Sequence, residues 1–266
     1  MAGRPRRSLL IARLRGDLAD LTGTGQQVIL DELRRVILDG DAPPGTVIPV
    51  DEVAELFGVS RIPIRESLKT LTGEGLVEHR PRSGYTVAQL TLSELHEIYV
   101  LRGVLEQAAL ASAIPAATAD DDRLARQAYD DLCAAQSASD HRGYHRESRR
   151  FHLALLAPAR SWRLMRMLES AWNLTEPVRP MAQIPAPDRA ALHEEHRDML
   201  EAFVARDAQR LLAVSALHHQ HLEDSIAALP QDSSMLAWSG PPDDPPLFGP
   251  DDLGRLVRCP LRSSRR

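Results

Sequence analysis

The sequence predicts a mainly α protein in two parts: an N-terminal winged helix-turn-helix, built of three helices and a small β-hairpin, followed by an all-α helical bundle. Three observations predict this. Between residues 25 and 88, three short runs of helical period alternate with glycine-bearing turns and are followed by two strand-like runs. From Thr91 onward, long Ala/Leu/Arg/Glu-rich segments keep a helical period with almost no strand signal. The length, 266 residues at 43% hydrophobic, suits two cores better than one.

Residues 1 to 24 hold Arg4, Arg6, Arg7, Arg13 and Arg15 against Asp17 and Asp20, and read as a mobile basic arm. From Gln26 to Leu38, Ile29, Leu33, Val36 and Ile37 fall at i, i+4, i+7 and i+8, and Asp39-Gly40 stops the helix. The stretch "APPGTVIP" breaks the pattern. Val53, Leu56 and Phe57 then line a short second helix that ends at Gly58. Ser60 is placed to cap a third helix, and Pro63 falls in its first turn, where a missing backbone N–H costs nothing. Ile64, Leu68 and Leu71 form that helix's buried stripe, which leaves Arg61, Arg65 and Lys69 at i, i+4 and i+8 on another face. The runs "LVEHR" and "GYTVA", joined by Pro81-Arg82-Ser83-Gly84, read as a hairpin.

The second part, residues 91 to 229, opens with Thr91 and Glu94 as a capping box for a helix to about residue 112. Further helices are expected at about 121–137, 141–156, 162–173, 188–206 and 207–229, with the proline-rich stretch 177–188 as a loop. Residues 230 to 266, with seven prolines, read as a disordered tail.

Composition excludes several classes. No stretch approaches the roughly 20 apolar residues of a membrane span, and "MAGRPRRSLLIARLRGDL" lacks an export signal's apolar core, so a cytoplasmic location is expected. Cys133 and Cys259 are too few for a disulfide framework or a cysteine-built zinc site. Aromatic residues are only 4% of the chain, against a base-stacking surface. The net charge of -5 points to no polyanion, and residues 25 to 88 carry seven Lys/Arg against ten Asp/Glu. Between residues 60 and 86 the balance reverses: Arg61, Arg65, Lys69, Arg80 and Arg82 face Glu66, Glu74 and Glu78. In a winged helix-turn-helix, the helix carrying Arg61, Arg65 and Lys69 enters the major groove, where arginine pairs with guanine edges or phosphates.

"GVSRIPIRESLKTLTGEGLVEHRPRSGYTV", with "PPGTVIPVDEVAELF" upstream, resembles the DNA-binding signature of GntR-type bacterial transcription regulators over about residues 26 to 88. The resemblance implies that Ser60, Arg61, Pro63, Arg65 and Lys69 form the operator-facing helix, and that Arg82 and Gly84 belong to a wing approaching the minor groove. One position departs: Asp51 stands where many members carry arginine.

"YVLRGVLEQAAL", "RRFHLALL" and "HEEHRDMLEAFVARDAQRLLAVSALHHQHL" resemble the FCD effector domain of the FadR-like branch over about residues 93 to 226. Many such domains hold a divalent metal through an Asp, a His four residues later and two later His. The resemblance places the histidines on His152, His196 and His218 and the Asp position on Ser148, whose hydroxyl is a poor metal ligand. Glu147 points about 100° away around a helix and does not replace it. Three imidazoles with water or a ligand carboxylate suit zinc or nickel; the alternative reading is a set of ordinary bundle histidines in a chain with ten. Arg102 and Glu106, at i and i+4, read either as a helix-surface ion pair or, by the resemblance, as a carboxylate-binding Arg with its orienting acid.

The implied function is a ligand-responsive regulator, a repressor by analogy, that binds a two-fold-related double-stranded operator as a homodimer and senses a small organic acid. No enzymatic activity is expected. Two alternatives stay open: a metal-dependent enzyme using His152, His196 and His218 to activate water, and a metal-free regulator responding to an acyl ligand.

Overall fold

A computed structural model describes residues 10, 11, 14, 25–81, 84–179 and 184–229. The first domain is α1 (Gln26–Leu38), β1 (Val47–Ile48), α2 (Val50–Phe57), α3 (Arg61–Gly73), β2 (Val77–Arg80) and β3 (Gly84–Val87). Ile29, Leu33, Val36 and Ile37 of α1 are fully buried against Ile64, Leu68 and Leu71 of α3, as their spacing requires. The sheet has the order β1-β3-β2, all antiparallel, with Val47 opposite Thr86 and Glu78 opposite Thr86 on the other side. Its third strand, β1, lies inside the stretch read as a break: two residues are too short for a period to register.

Gly58 ends α2 in the left-handed region, φ 65°, with its N–H bonded back to Ala54 and Glu55 carbonyls. This makes the tight turn into α3, and nothing lies near the missing Cβ. Pro63 is the third residue of α3, inside the first turn. Ser60 sits at the N-cap position with extended backbone, but its hydroxyl makes no capping hydrogen bond, which corrects the cap expected there.

The expected arm also needs correction at the positions that can be described. Leu10, Ile11 and Leu14 are helical and buried in the same core as α1 and α3. Their i, i+1, i+4 spacing is an apolar face that the surrounding arginines obscured. The rest of residues 1–24 and the expected tail, 230–266, lie outside the described residues.

The second domain is α4 (Leu92–Ala113), α5 (Ala119–Ser137), α6 (His141–Leu156), α7 (Trp162–Thr175), α8 (Ala186–Val204) and α9 (Ala208–Ala227). The expected capping box opens α4: Thr91 Oγ1 accepts from the Glu94 N–H and the Glu94 carboxylate accepts from the Thr91 N–H. A second box, Thr118 with Asp121, starts α5 two residues earlier than expected. Phe151, Trp172, Met199 and Phe203 centre one core, while Tyr99, Leu192, Leu222 and Ile226 belong to another beside it. The expected loop at 177–188 begins with a short 3-10 turn, Glu176–Val178, and α8 starts at Ala186; residues 180–183 lie outside the described residues. Among the described residues, no helix is long and apolar enough to cross a membrane.

Candidate DNA-reading face and histidine centre

Helix α3 presents Arg61, Arg65 and Lys69 to solvent while Ile64, Leu68 and Leu71 anchor it. Two of the three cations are already paired. Arg61 Nε lies 2.6 Å from Asp51 Oδ1 at the start of α2, and Lys69 Nζ lies 2.8 Å from Glu66 Oε1. For Arg65 no ion pair occurs among the described residues. Ile62, between Arg61 and Arg65, is 70% exposed, an apolar side chain with no packing role that the reading of the sequence passed over. On the hairpin, Arg80 pairs with Glu78 at 3.0 Å and Gly84 opens β3 at φ 85°. Arg82 lies outside the described residues.

The second centre is buried. Glu106, on α4, is 1% exposed, and its carboxylate gathers three cationic or hydrogen-bonding groups. Arg102 Nη2 donates to Oε1 at 3.5 Å, His219 Nε2 stands 3.4 Å from the same oxygen, and His152 Nδ1 lies 3.1 Å from Oε2. Burial alone would push the Glu106 carboxyl up; the His219 and His152 rings beside it outweigh that and hold it well below the usual carboxylate range. Arg102 is therefore no helix-surface partner. Its guanidinium lies 4.6 Å from the Tyr99 ring and 4.4 Å from the Trp172 ring, Nη1 donates to Thr175 Oγ1 at 3.4 Å, and its Nε is buried with no hydrogen-bond partner.

His152, His196 and His218 come together from α6, α8 and α9, with one ring nitrogen of each within 4.8 Å of the others. The Nε2 atoms of His152 and His196 are 3.1 Å apart. His152 presents Nδ1 to Glu106, and His218 Nδ1 pairs with Glu195 Oε2 at 2.8 Å, so both rings turn Nε2 inward. Glu195 also pairs with His221 Nδ1. Burial, together with the neighbouring His218 and His152, holds His196 well below the ordinary histidine value, and burial, only partly opposed by Glu195, lowers His218 to about 4. His196 and His218 rings biased to the uncharged form, with the nitrogens of all three histidines converging, suit the needs of a divalent ion. The residues present fit one.

A cavity of about 30 Å³ touches this centre and is lined by Tyr99, Arg102, Ser148, Arg149, His152 and His196, among others. Ser148 thus opens a space at the position expected for a carboxylate. Glu147 faces away, as its place on the helix requires, and pairs with Arg146 and Arg150. Glu195 and Glu106 are the supporting carboxylates. Glu195, Tyr99, Trp172, His145, Arg149 and Glu176 were missed as site residues. For α6 the signal was available: His145, Arg149 and His152 repeat at i, i+4 and i+7, a helical face whose members are polar.

A winged helix-turn-helix joined to a helical bundle with a buried polar cavity defines a two-part DNA-binding regulator. The comparisons agree: residues 26–87 match the family described as bacterial regulatory proteins, gntR family, and residues 97–223 match the FCD domain. A probable D-xylose utilization operon transcriptional repressor of Paenarthrobacter nicotinovorans is 30% identical over 69% of this chain and 79% of its own length. The HTH-type transcriptional regulator YdhC of Bacillus subtilis (strain 168) is 27% identical over 72% and 86%. The solved structure of E. coli McbR/YncC superposes with a TM-score of 0.67 at 24% identity, over 78% of this chain and 98% of that one. The chain belongs to the GntR family of bacterial transcription regulators and carries an FCD domain. These families and relatives are regulators, and they do not favour the enzyme alternative.

Glu176 generates a prediction. It is 5% exposed; Oε2 lies 2.7 Å from His145 Nε2, off the line of a straight hydrogen bond, and Oε1 lies 3.3 Å from Arg149 Nη1. Burial raises its carboxyl, and His145, Arg149 and Arg102 outweigh that to bring it below its ordinary 4.5. With the folded value below the unfolded one, the unfolded chain binds the proton more readily, so this stability is present above the unfolded value and is lost as pH falls through the folded one. Urea midpoints measured between about pH 3 and about pH 6 should fall less steeply with acid for Glu176→Gln than for the native chain.

Proposed function

We propose that this regulator is a homodimeric repressor whose helical domain senses a small carboxylate beside a divalent ion and passes the signal to the winged domain through residues 174–179. The observation that carries the reading is the two-sidedness of that segment. Thr175 accepts from Arg102, and Glu176 pairs with His145 and Arg149, all at the cavity. Leu174 and Arg179 face the other way. A Cβ on Gly75, in the turn after α3, would collide with Leu174, and one on Gly40, in the turn after α1, would collide with the Arg179 guanidinium. Arg142 Nη1 adds a contact to Asp41 Oδ1 at 3.1 Å. A ligand that reorients Arg102 or Arg149 therefore acts on the two turns that set the position of the recognition helix α3.

His152, His196 and His218 would hold the ion, zinc or nickel by ligand type, with Glu106 and Glu195 fixing the first and last rings. When bound, the metal supplies a Lewis-acidic point for an anionic effector. The cavity volume favours a small acid over an acyl chain, since pockets for drug-sized ligands run from about 300 Å³ upward. Dimer formation is assigned to α4, whose Val100, Leu101 and Val104 are exposed, the last at 64%, next to exposed Leu217 on the adjoining α9. Arg61, Arg65 and Lys69, with Ser60 and Pro63 at the helix start and the wing of Arg82 and Gly84, are assigned to the operator.

Three outcomes test this. Arg65→Ala should weaken binding to a selected operator by more than about tenfold in fluorescence anisotropy, the size of one good base contact. After purification without an immobilised-metal resin, the native chain should carry stoichiometric metal by elemental analysis, and His196→Ala should lose it with operator binding of the metal-free protein near native. The Arg142→Ala, Arg179→Ala double variant should keep zinc affinity and operator affinity each within about threefold while the effect of zinc on operator affinity collapses, a coupling of the usual 1–3 kcal/mol size (about 5- to 150-fold) being removed.

A further inference from the structure

The DNA-reading surface holds more acid than a polyanion partner would favour. Over residues 25 to 88 acids outnumber Lys/Arg ten to seven, and three cations of α3 and the hairpin are paired: Arg61 with Asp51, Lys69 with Glu66, Arg80 with Glu78. The first pair differs from the others in its geometry. Glu66 and Glu78 sit three and two residues from their partners, whereas Asp51 comes from the start of α2 and reaches the first residue of α3. Both its members are exposed, at 65% and 63%, and a pair so placed contributes little to folding.

Its geometry matters more to the groove. Asp51 Oδ1 lies 2.6 Å from Arg61 Nε, an ion pair off the line of a straight hydrogen bond, and a contact at Nε leaves the Nη1/Nη2 edge as a two-donor fork on the helix that also carries exposed Ile62 and Arg65. Such a fork matches guanine O6 and N7. A free arginine at the same place would also swing to any phosphate, and each phosphate contact adds counterion release that carries no sequence information. A carboxylate beside it opposes that use, because it approaches the backbone with the same sign of charge.

We propose that Asp51 is a specificity-determining residue of this regulator: it aims Arg61 at a base edge and suppresses binding to arbitrary DNA. The inference rests on the assignment of α3 to the major groove. Asp51 acts through Arg61 and through repulsion, so its signature is the ratio of specific to non-specific affinity, and affinity alone does not report it.

The test uses the full-length chain, a duplex recovered by in vitro selection from random sequence, and a random-sequence duplex, each titrated by anisotropy at two salt concentrations. Asp51→Ala is expected to bind the random duplex at least about fivefold more tightly, and to lower the specific-to-random ratio by at least that factor. Its random-duplex salt slope should steepen by about 0.9, one additional phosphate. Glu55→Ala, which removes another exposed acid of the same helix, one that forms no ion pair among the described residues, should leave the ratio within about twofold. An unchanged ratio for Asp51→Ala, including an equal rise in both affinities, overturns the proposal, and so does an equal fall in the ratio for Glu55→Ala. Arg65→Ala separates the two levels: if it leaves the selected duplex tightly bound, the placement of α3 itself is wrong, whereas a loss there with no change in ratio for Asp51→Ala removes only the role of Asp51.

Discussion

Burying the Glu106 carboxylate in the centre of the bundle constrains almost everything around it. A carboxylate taken out of water costs several kcal/mol unless its charge is matched and its lone pairs are occupied. The chain meets that cost with Arg102 from the same helix, His152 from α6 and His219 from α9, so one acid ties three helices together. The arrangement fixes ring orientation as well as charge. His152 can present Nε2 to His196 because Nδ1 is occupied by Glu106, and Arg102 lies close to the Tyr99 and Trp172 rings while one edge of its fork faces the same acid. The Nε of Arg102 and the Nδ1 of His196 are left without partners at full burial, which is where such a network is under-satisfied and where an incoming polar group gains most.

The same economy of contacts joins the two domains. A hydrophobic interface would bind the winged domain rigidly to the bundle; the contacts at these two turns include one leucine and two arginines against two glycine-bearing turns. Arg179 adopts a left-handed backbone, φ 47°, at the end of the 3-10 turn, and Gly40 does so at φ 63° where it receives that side chain. The positive φ favours glycine at this turn, and a Cβ would push the Arg179 guanidinium aside. Polar contacts at a turn can be made or lost with little disturbance of either core, which is the requirement for a joint that responds to small movements at the cavity.

How much of this was legible in the sequence follows from the range of each interaction. The stripe Ile29, Leu33, Val36, Ile37 and the stripe Ile64, Leu68, Leu71 were readable because a helix repeats its environment every three or four residues. The histidine trio was found through a resemblance, and the geometry brings its members together from three helices. What stayed hidden is interaction between residues far apart in the chain: Glu106 with His219, Asp51 with Arg61, Thr175 with Arg102. No periodicity marks such pairs. Leu10, Ile11 and Leu14 failed for another reason, since arginine density outweighed a short apolar face, and β1 failed because two residues carry no pattern.

The two departures from the family pattern pull charge in opposite directions. At the reading face Asp51 replaces a common arginine and makes the surface less attractive to phosphate. In the bundle Ser148 replaces a common ligand aspartate and makes the centre less negative. A divalent ion held only by imidazoles would retain its full charge and an open position, where an aspartate would neutralise half of that charge and fill the position. The cavity beside Ser148 is faced by Arg102 and Arg149, which already pair with Glu106 and Glu176, so an anion entering there would share these two guanidinium groups with protein carboxylates. On the proposed reading, the carboxylate that the serine gives up would be brought by the effector, presented to the ion and to the Arg102 fork at once. On the same reading, ligand selectivity and metal retention would be one property of this centre, because the group completing the ion's shell would be the group that Arg102 recognises.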